Sequence, residues 1–258
     1  MRFCRGSGRF LQQVVDKRCG YAPQGMDFRR MAGEKESMTG FPILLLDYDG
    51  TLAETQSAIL RSLREAFNAV GVPAPAPAAL KQELTRGGTL QTLFQAIVPE
   101  SDAQDAAAFV RHYRAFYPAA DEEETVLFEG VVDTLAALKE QGTILTILSN
   151  KHAPTVCASI ARFGLTPFFS GVVASEPHFP HKPDRRVMDE RIVPLFPTQP
   201  RSAFLMVGDT VADLQFARNA GIASCWASYG HGSAAQCAAL DPHLRIGSFS
   251  ELPAALRS

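Results

Sequence analysis

The sequence predicts an α/β protein, an open parallel sheet with a helical insert after its first strand. Three observations carry this expectation. Short unbroken apolar runs recur along the 258 residues, as strands covered on both faces require. Segments with helical spacing lie between them, several closed by glycine. One interval, of about ninety residues between the first and second runs, is far longer than a crossover connection needs.

The chain opens unlike the rest. Arg2, Arg5, Arg9, Lys17, Arg18, Arg29 and Arg30 are scattered among Gly, Ser and Gln, with one short apolar stretch from Phe10 to Val15. That stretch is too short and interrupted for a secretory signal. Residues 1–41 therefore read as a basic N-terminal extension: a disordered arm, a targeting segment of another kind, or sequence upstream of a true start at Met26, Met31 or Met38. Met38 is favoured, because Phe41 then begins the fold almost at once.

Ile43 to Leu46 forms the first strand, and Asp47-Tyr48-Asp49-Gly50-Thr51-Leu52 ends it abruptly with two carboxylates and a glycine turn. Asp-Gly also marks hairpins, but Glu54 to Val70 then carries apolar residues at helical rather than alternating spacing. Further helices are expected over Ala78 to Leu84, Thr89 to Ile97 and Ala103 to Tyr117, divided by Pro73, Pro75, Pro77, Gly87, Gly88 and Pro99. Residues 54–125 thus read as a helical cap over the sheet's carboxyl edge, where open α/β folds place ligands. Residues 42–53 and 126–258 form the core. Its later strands are expected at Ile144 to Leu148, Gly171 to Ala174, Phe204 to Val207 and Ile222 to Trp226. Helices at Val131 to Gln141, Pro154 to Phe163, Arg185 to Phe196 and Val211 to Ala220 alternate with them.

Composition narrows the class. A hydrophobic content of 46% suits a sizeable core, and 25 basic against 27 acidic residues give a formal charge of -2. No global field then favours nucleic acid or an anionic membrane, so an anionic substrate must be attracted locally. The five cysteines, Cys4, Cys19, Cys157, Cys225 and Cys237, are scattered and lack metal-type spacing. They argue against zinc and fit a reducing cytosol better than a disulfide framework, so a cytoplasmic location is expected. No apolar stretch reaches the roughly 18 residues of a membrane-spanning helix.

The chemistry concentrates at strand ends. Asp47 and Asp49 can converge through the turn at Gly50, and two ionised groups beside an apolar strand suggest a positive partner such as a metal ion. Ser149-Asn150 follow the second strand, Lys182-Pro183 stand beyond the third, and Asp209 and Asp213 follow the fourth. In a parallel sheet these ends face the same way, so the residues can meet around one crevice. Singly, Ser149 and Asp209 could be helix caps and Lys182 a solvated side chain; their ordered conjunction favours a site. Arg86, flanked by Gly87-Gly88, is a candidate specificity residue, with a plain surface loop as the alternative. His178 and His181 have ligand-like separation, but Pro177, Pro180 and Pro183 make that segment extended and argue against a metal role.

As an ordered group these motifs resemble the haloacid dehalogenase superfamily of phosphatases, specifically its phosphoglycolate-phosphatase-like branch with a helical cap. Asp47-Tyr48-Asp49-Gly50-Thr51 looks like the first motif, Leu148-Ser149-Asn150-Lys151 the second, Lys182-Pro183 the third, and Gly208-Asp209 with Asp213 the fourth. Phe128-Glu129-Gly130-Val131, Arg162-Phe163-Gly164-Leu165 and Tyr229-Gly230 are similar to the same branch. Tyr48 stands where an aliphatic residue is usual, and Asp184 follows Lys182-Pro183 where proline is common.

The resemblance implies a Rossmann-like parallel core with an inserted helical cap. It further implies a Mg2+-dependent phosphatase hydrolysing a small phosphate monoester, phosphoglycolate-like or a sugar phosphate, through an aspartyl-phosphate. Asp47 would be the nucleophile and Asp49 the acid and base. Asp47, the Asp49 carbonyl and Asp209 would hold the metal, with Asp213 supporting or joining them. Lys182 would neutralise charge and keep Asp47 ionised, while Ser149 and Asn150 would hold the transferring oxygens. The expected partner is a small phosphorylated metabolite, not nucleic acid or membrane, and the protein a monomer or homodimer. A sugar phosphomutase of the same superfamily is the alternative enzyme. Metal-free dehalogenation is disfavoured by Asp49, and a phospho-accepting receiver-type signalling domain by the insert.

Overall fold

A computed structural model describes residues 40–176 and 178–257. Positions 1–39 of the basic extension, and with them the choice of starting methionine, lie outside the described residues. The first half of the chain runs β1 (Ile43–Leu46), β2 (Ala53–Glu54), α1 (Gln56–Ala69), α2 (Pro77–Leu84), α3 (Leu90–Ile97), α4 (Ala103–Glu124), β3 (Val126–Leu127) and α5 (Val131–Glu140). The second half runs β4 (Ile144–His152), α6 (Ala153–Arg162), β5 (Gly171–Ser175), β6 (Phe204–Gly208), α7 (Val211–Ala220), β7 (Ala223–Ala227), α8 (Ala234–Ala238), β8 (Leu244–Ile246) and α9 (Leu252–Ala255).

β1 lies inside a parallel sheet of order β5-β4-β1-β6-β7-β8, with Leu44 opposite Leu145 on one side and Leu205 on the other. Its apolar run is continuous because successive side chains enter different cores. Leu44 and Leu46 pack with Leu135, Ile147 and Val156, whereas Ile43 and Leu45 pack with Val187, Phe204 and Phe216. From β1 the chain builds outward through β4 to β5, then returns to β1's other side for β6, β7 and β8. The carboxyl end of β1 therefore sits where strand order reverses, the usual ligand crevice of such sheets.

The long interval after β1 is a helical insert with its own core. Phe67, Phe94 and Phe109 meet there at centroid separations of 4.5 to 5.7 Å, an aromatic cluster of favourable geometry. The chain leaves and re-enters through the antiparallel ribbon β2–β3, with Ala53 opposite Leu127. Two-residue strands carry too little pattern to be seen in sequence.

Three elements differ from expectation. α4 runs two turns past Tyr117 to Glu124, straight through Pro118. An interior proline costs about 3 kcal/mol, but the extension buries Tyr117, Ala120 and Asp121, and Glu123 and Glu124 both reach Arg61 on α1. The helix expected over Arg185 to Phe196 becomes a π-helical turn, Val187–Ile192, and a 3-10 turn, Val193–Leu195, at Pro194, which lacks an N–H to continue the ladder. β8 adds an edge strand of only three residues, with Arg245 over the Trp226 ring. Among the described residues no helix is long and apolar enough to cross a membrane.

Candidate active site

Asp47 extends the sheet one residue beyond β1, its N–H donating to the Val207 carbonyl at 2.9 Å. The chain then turns at Gly50, whose φ of 74° lies in the left-handed region. A side chain there would also collide with Asp209 Oδ2, so both conformation and space require glycine.

β6 delivers Asp209 opposite, wholly buried, with Oδ2 accepting from the His231 N–H at 2.7 Å and Oδ1 from the Thr51 hydroxyl at 3.2 Å. Asp213 lies in the first turn of α7, also buried. Its Oδ2 accepts from the Thr210 N–H at 2.9 Å and hydroxyl at 2.7 Å, a capping box that fixes the start of the helix. Its Oδ1 receives Lys182 Nζ at 2.5 Å. The same buried ammonium donates to the Leu148 carbonyl at 2.8 Å and stands 3.0 Å from Asp47 Oδ1. Burial alone would lower the Lys182 pKa, but Asp213 and Asp47 outweigh it and raise it.

One carboxylate oxygen from each of Asp47, Asp209 and Asp213 lies within 4.8 Å of the others. Three buried acids against one buried ammonium leave an excess of negative charge. Burial pushes the Asp47 pKa up to about 6 even with Lys182 beside it. Burial, reinforced by Asp213 and Asp47, pushes Asp209 up to about 8. Asp47 Oδ1 is buried and accepts no hydrogen bond of sound geometry, Lys182 being near but poorly aligned. An orphaned acceptor in an oxygen-only, over-negative cluster fits a hard divalent cation. Both Asp213 oxygens are engaged by Lys182 and Thr210, so its visible role is to hold those two residues.

Asp49 is only partly buried, and Lys151 Nζ sits 2.8 Å and 3.1 Å from its two oxygens. The hydroxyl oxygen of Tyr117, from α4 of the insert, accepts from the same ammonium at 2.8 Å. Burial would lower the Lys151 pKa, but Asp49 outweighs it and the pKa rises. Ser149 is buried, its oxygen accepting from the Lys151 N–H at 3.3 Å, which leaves its hydroxyl proton directed by whatever enters the crevice.

The structure places two sequence candidates differently. The Asn150 amide does not point at the reacting centre: Nδ2 donates to the carbonyls of Gly87 and Lys182 at 2.8 and 2.9 Å, and Oδ1 accepts from the Lys182 N–H at 2.9 Å. It ties the lysine loop and the insert together. Arg86 turns away from the crevice, exposed and paired with Glu83 at 2.6 Å. The neighbouring Gly87 faces inward, because a side chain there would strike Thr210.

A cavity of about 130 Å3 opens between core and insert, lined by Asp47, Asp49, Ser149 and Lys182 below and by residues including Gly88, Tyr113 and Arg114 above. Three lining residues were not assigned by the sequence reading, Lys151, Arg114 and His231, and Tyr117, buried, stands behind Lys151. His231 Nε2 lies 3.0 Å from Glu54. Burial would lower its pKa, but Glu54 and Asp209 raise it. The pair Gly230 and Gly232 around His231 was the available signal, since a side chain at Gly232 would run into the Asp209 carbonyl.

Residues 44–227 match the family described as haloacid dehalogenase-like hydrolase. The chain belongs to the haloacid dehalogenase-like hydrolases. This hydrolase is 28% identical over 221 residues to a phosphoglycolate phosphatase of Agrobacterium fabrum, covering 83% of this chain and 92% of that one. It is 30% identical over 215 residues to a probable phosphatase, IndB, of Dickeya dadantii, covering 82% and 91%. Among solved structures, a "predicted phosphoglycolate phosphatase" from Haemophilus somnus aligns with a TM-score of 0.74 at 24% identity, covering 84% of this chain and 98% of that one. CbbY of Rhodobacter sphaeroides, solved in complex with phosphate, aligns at 0.73 and 23% identity, covering 84% and 100%. At such identities these two show a shared fold: a Rossmann-like parallel core with an inserted helical cap.

Proposed function

We propose that this phosphatase hydrolyses a small phosphate monoester with Mg2+, through an aspartyl-phosphate formed on Asp47. The observation that carries this reading is the orphaned Asp47 Oδ1, held among Asp209, Asp213 and Lys182 at the mouth of β1.

Phosphate monoesters hydrolyse extremely slowly unaided, so the site must combine a nucleophile, charge neutralisation and proton transfer. An Asp47 oxygen attacks phosphorus and the bond to the ester oxygen breaks. Asp49, close enough to the same cavity to line it, gives its proton to the departing alcohol. In the second half Asp49 takes a proton from water, whose oxygen attacks the aspartyl-phosphate, releasing inorganic phosphate and restoring Asp47. Lys182 balances charge on Asp47, and the Ser149 hydroxyl donates to a phosphoryl oxygen, a kind of contact whose loss costs about 2.7 to 4 kcal/mol. Asp47, Asp209 and the Asp49 carbonyl would hold Mg2+, which when bound neutralises and orients the phosphate oxygens. The insert closes residues 42–53 and 126–258 from above and excludes water.

Hydrolysis of a generic aryl phosphate tests this. Wild type should release phosphate only with Mg2+, and Asp47→Asn should lose at least about 10^3-fold in kcat. Undiminished turnover by Asp47→Asn would reject the assignment. Isomerisation of a sugar phosphate without phosphate release would identify a mutase instead.

A further inference from the structure

The loop after β7 reaches back over the acidic cluster, and phosphoryl transfer as described leaves it without a part. Tyr229 and His231 hold the site on either side of Gly230. The Tyr229 hydroxyl donates to the Thr51 carbonyl at 2.7 Å, and the His231 N–H donates to Asp209 Oδ2 at 2.7 Å. A side chain at Gly230 would strike Asp209 and the Gly50 carbonyl, and one at Gly232 the Asp209 carbonyl, so the loop lies against this carboxylate only because glycine stands on both sides of His231.

The His231 ring continues the same contact. It lines the cavity, with Nδ1 against Gly50, where a side chain would meet it at 3.0 Å. Its Nε2 stands 3.1 and 3.0 Å from the two oxygens of Glu54. A carboxylate only accepts, so the ring nitrogen carries the hydrogen between them. Glu54 belongs to β2, the strand by which the chain enters the insert, and it also accepts from the Gln56 N–H at 2.8 Å, which fixes it at the start of α1. The ring is thus anchored from outside the loop that carries it. The pair is only partly enclosed, the Glu54 side chain being 40% exposed, so it adds little to stability.

What the pair fixes is an orientation. Among the described residues, Asp209 Oδ1 takes one donor, from Thr51, and Oδ2 one, from His231, whereas a carboxylate oxygen can accept about two. Each oxygen keeps a lone pair for a cation, in contrast to Asp213 Oδ2, which Thr210 occupies twice. We propose that His231, held by Glu54, is a positioning residue for Asp209: the pair turns this carboxylate toward the place of the divalent cation, and metal affinity depends on it although neither side chain binds the metal. The inference rests on the metal-dependent phosphatase reading of the site.

Calorimetric titration of Mg2+ into metal-stripped protein tests it, beside the Mg2+ dependence of aryl phosphate hydrolysis. His231→Leu, which keeps the backbone N–H and removes the ring's anchor, should raise the Mg2+ Kd by about 10-fold or more, the usual scale for a residue that orients a metal ligand. The Mg2+ concentration for half-maximal turnover should rise in parallel, and by more than the ester KM does. His231→Gln, whose side-chain amide can still donate to Glu54, should recover part of the affinity. Glu54→Gln should weaken it too while keeping an acceptor for Gln56, and this milder change decides the matter if His231→Leu does not fold. The double variant should bind no more weakly than His231→Leu alone, as residues acting through one contact do. An unchanged Kd in His231→Leu and Glu54→Gln, with or without a fall in melting temperature, or losses that simply add in the double variant, would overturn the assignment of the pair and leave the metal site standing. No binding of Mg2+ by wild type would overturn the metal-dependent reading and this inference with it.

Discussion

Lys151 Nζ lies 2.8 Å from Asp49 Oδ1, joining the carboxyl end of β4 to the proposed acid and base. The ammonium is almost wholly enclosed, with the Tyr117 hydroxyl 2.8 Å away and the Tyr117 ring centroid at 4.0 Å. Tyr117 belongs to the insert, so the cap reaches the proton-transfer residue through one lysine. Tyr117 also donates to Asp121 at 3.0 Å, which Arg162 and Ser159 hold from the core.

This chain makes Lys151 a positioning residue for Asp49. Lys151→Met should lower kcat by about 10- to 100-fold on alkyl phosphates, a part of the 10^2 to 10^4-fold that acid/base help supplies. Aryl phosphates, whose leaving groups need little protonation, should lose much less. Tyr117→Phe should follow the same order with a smaller effect. A series of esters graded by leaving-group acidity reads this directly; an equal loss across the series would mark the lysine as structural only.

The acidic cluster predicts how stability varies with pH when no metal is supplied. Asp47 and Asp209 have folded pKa values raised by burial to about 6 and about 8, above the 3.8 of a free aspartate. Between about pH 4 and 8 the folded chain then holds more protons than the unfolded one, so stability falls as pH rises. His231, raised by Glu54, contributes stability at low pH that is lost in the same direction. Lys182, its pKa raised, stays charged across this window and does not change the sign. The melting temperature of chelator-treated protein should drop by on the order of 5 °C or more from pH 5 to pH 8. Millimolar Mg2+ should recover it, and more so at pH 8, because the cation competes with protons for the same oxygens. Melting curves indifferent to both pH and Mg2+ would contradict a metal site here.

Much of this site is legible in sequence because it is built from strand ends. Buried parallel strands read as unbroken apolar runs, so Asp47, Ser149 and Asp209 stand out where each run stops. Lys182 follows from motif order. The contacts that complete the site are not local: His231 meets Glu54 across 177 positions and Lys151 meets Asp49 across 102, and no periodicity encodes either. Arg86 misled because Gly87-Gly88 suggested mobility around a basic side chain. The structure gives Gly87 another reason, close approach to Thr210 and an exposed carbonyl for Asn150. The helix expected to stop at Tyr117 likewise runs on through Pro118, because burial of Tyr117 and Asp121 outweighs the proline.

Tyr48, the residue that departs from the usual aliphatic between the two aspartates, has a structural partner rather than a chemical one. Its hydroxyl lies 2.5 Å from Ser159 Oγ on α6, in wholly buried surroundings, and Ser159 passes on to Asp121 at 3.0 Å. Burial raises the tyrosine's pKa well above its ordinary value, so the hydroxyl remains neutral and able to donate. Tyr48→Phe keeps the ring that fills the core and removes one buried hydrogen bond, which should cost about 1 to 2 kcal/mol. The denaturant midpoint should fall with an unchanged slope. Because the Tyr48 side chain faces α6 while its neighbours face the crevice, kcat/KM should stay within about threefold of wild type, as alternation along an extended segment implies. A loss of turnover matching that of Asp47→Asn would instead place the Tyr48 hydroxyl in the chemistry.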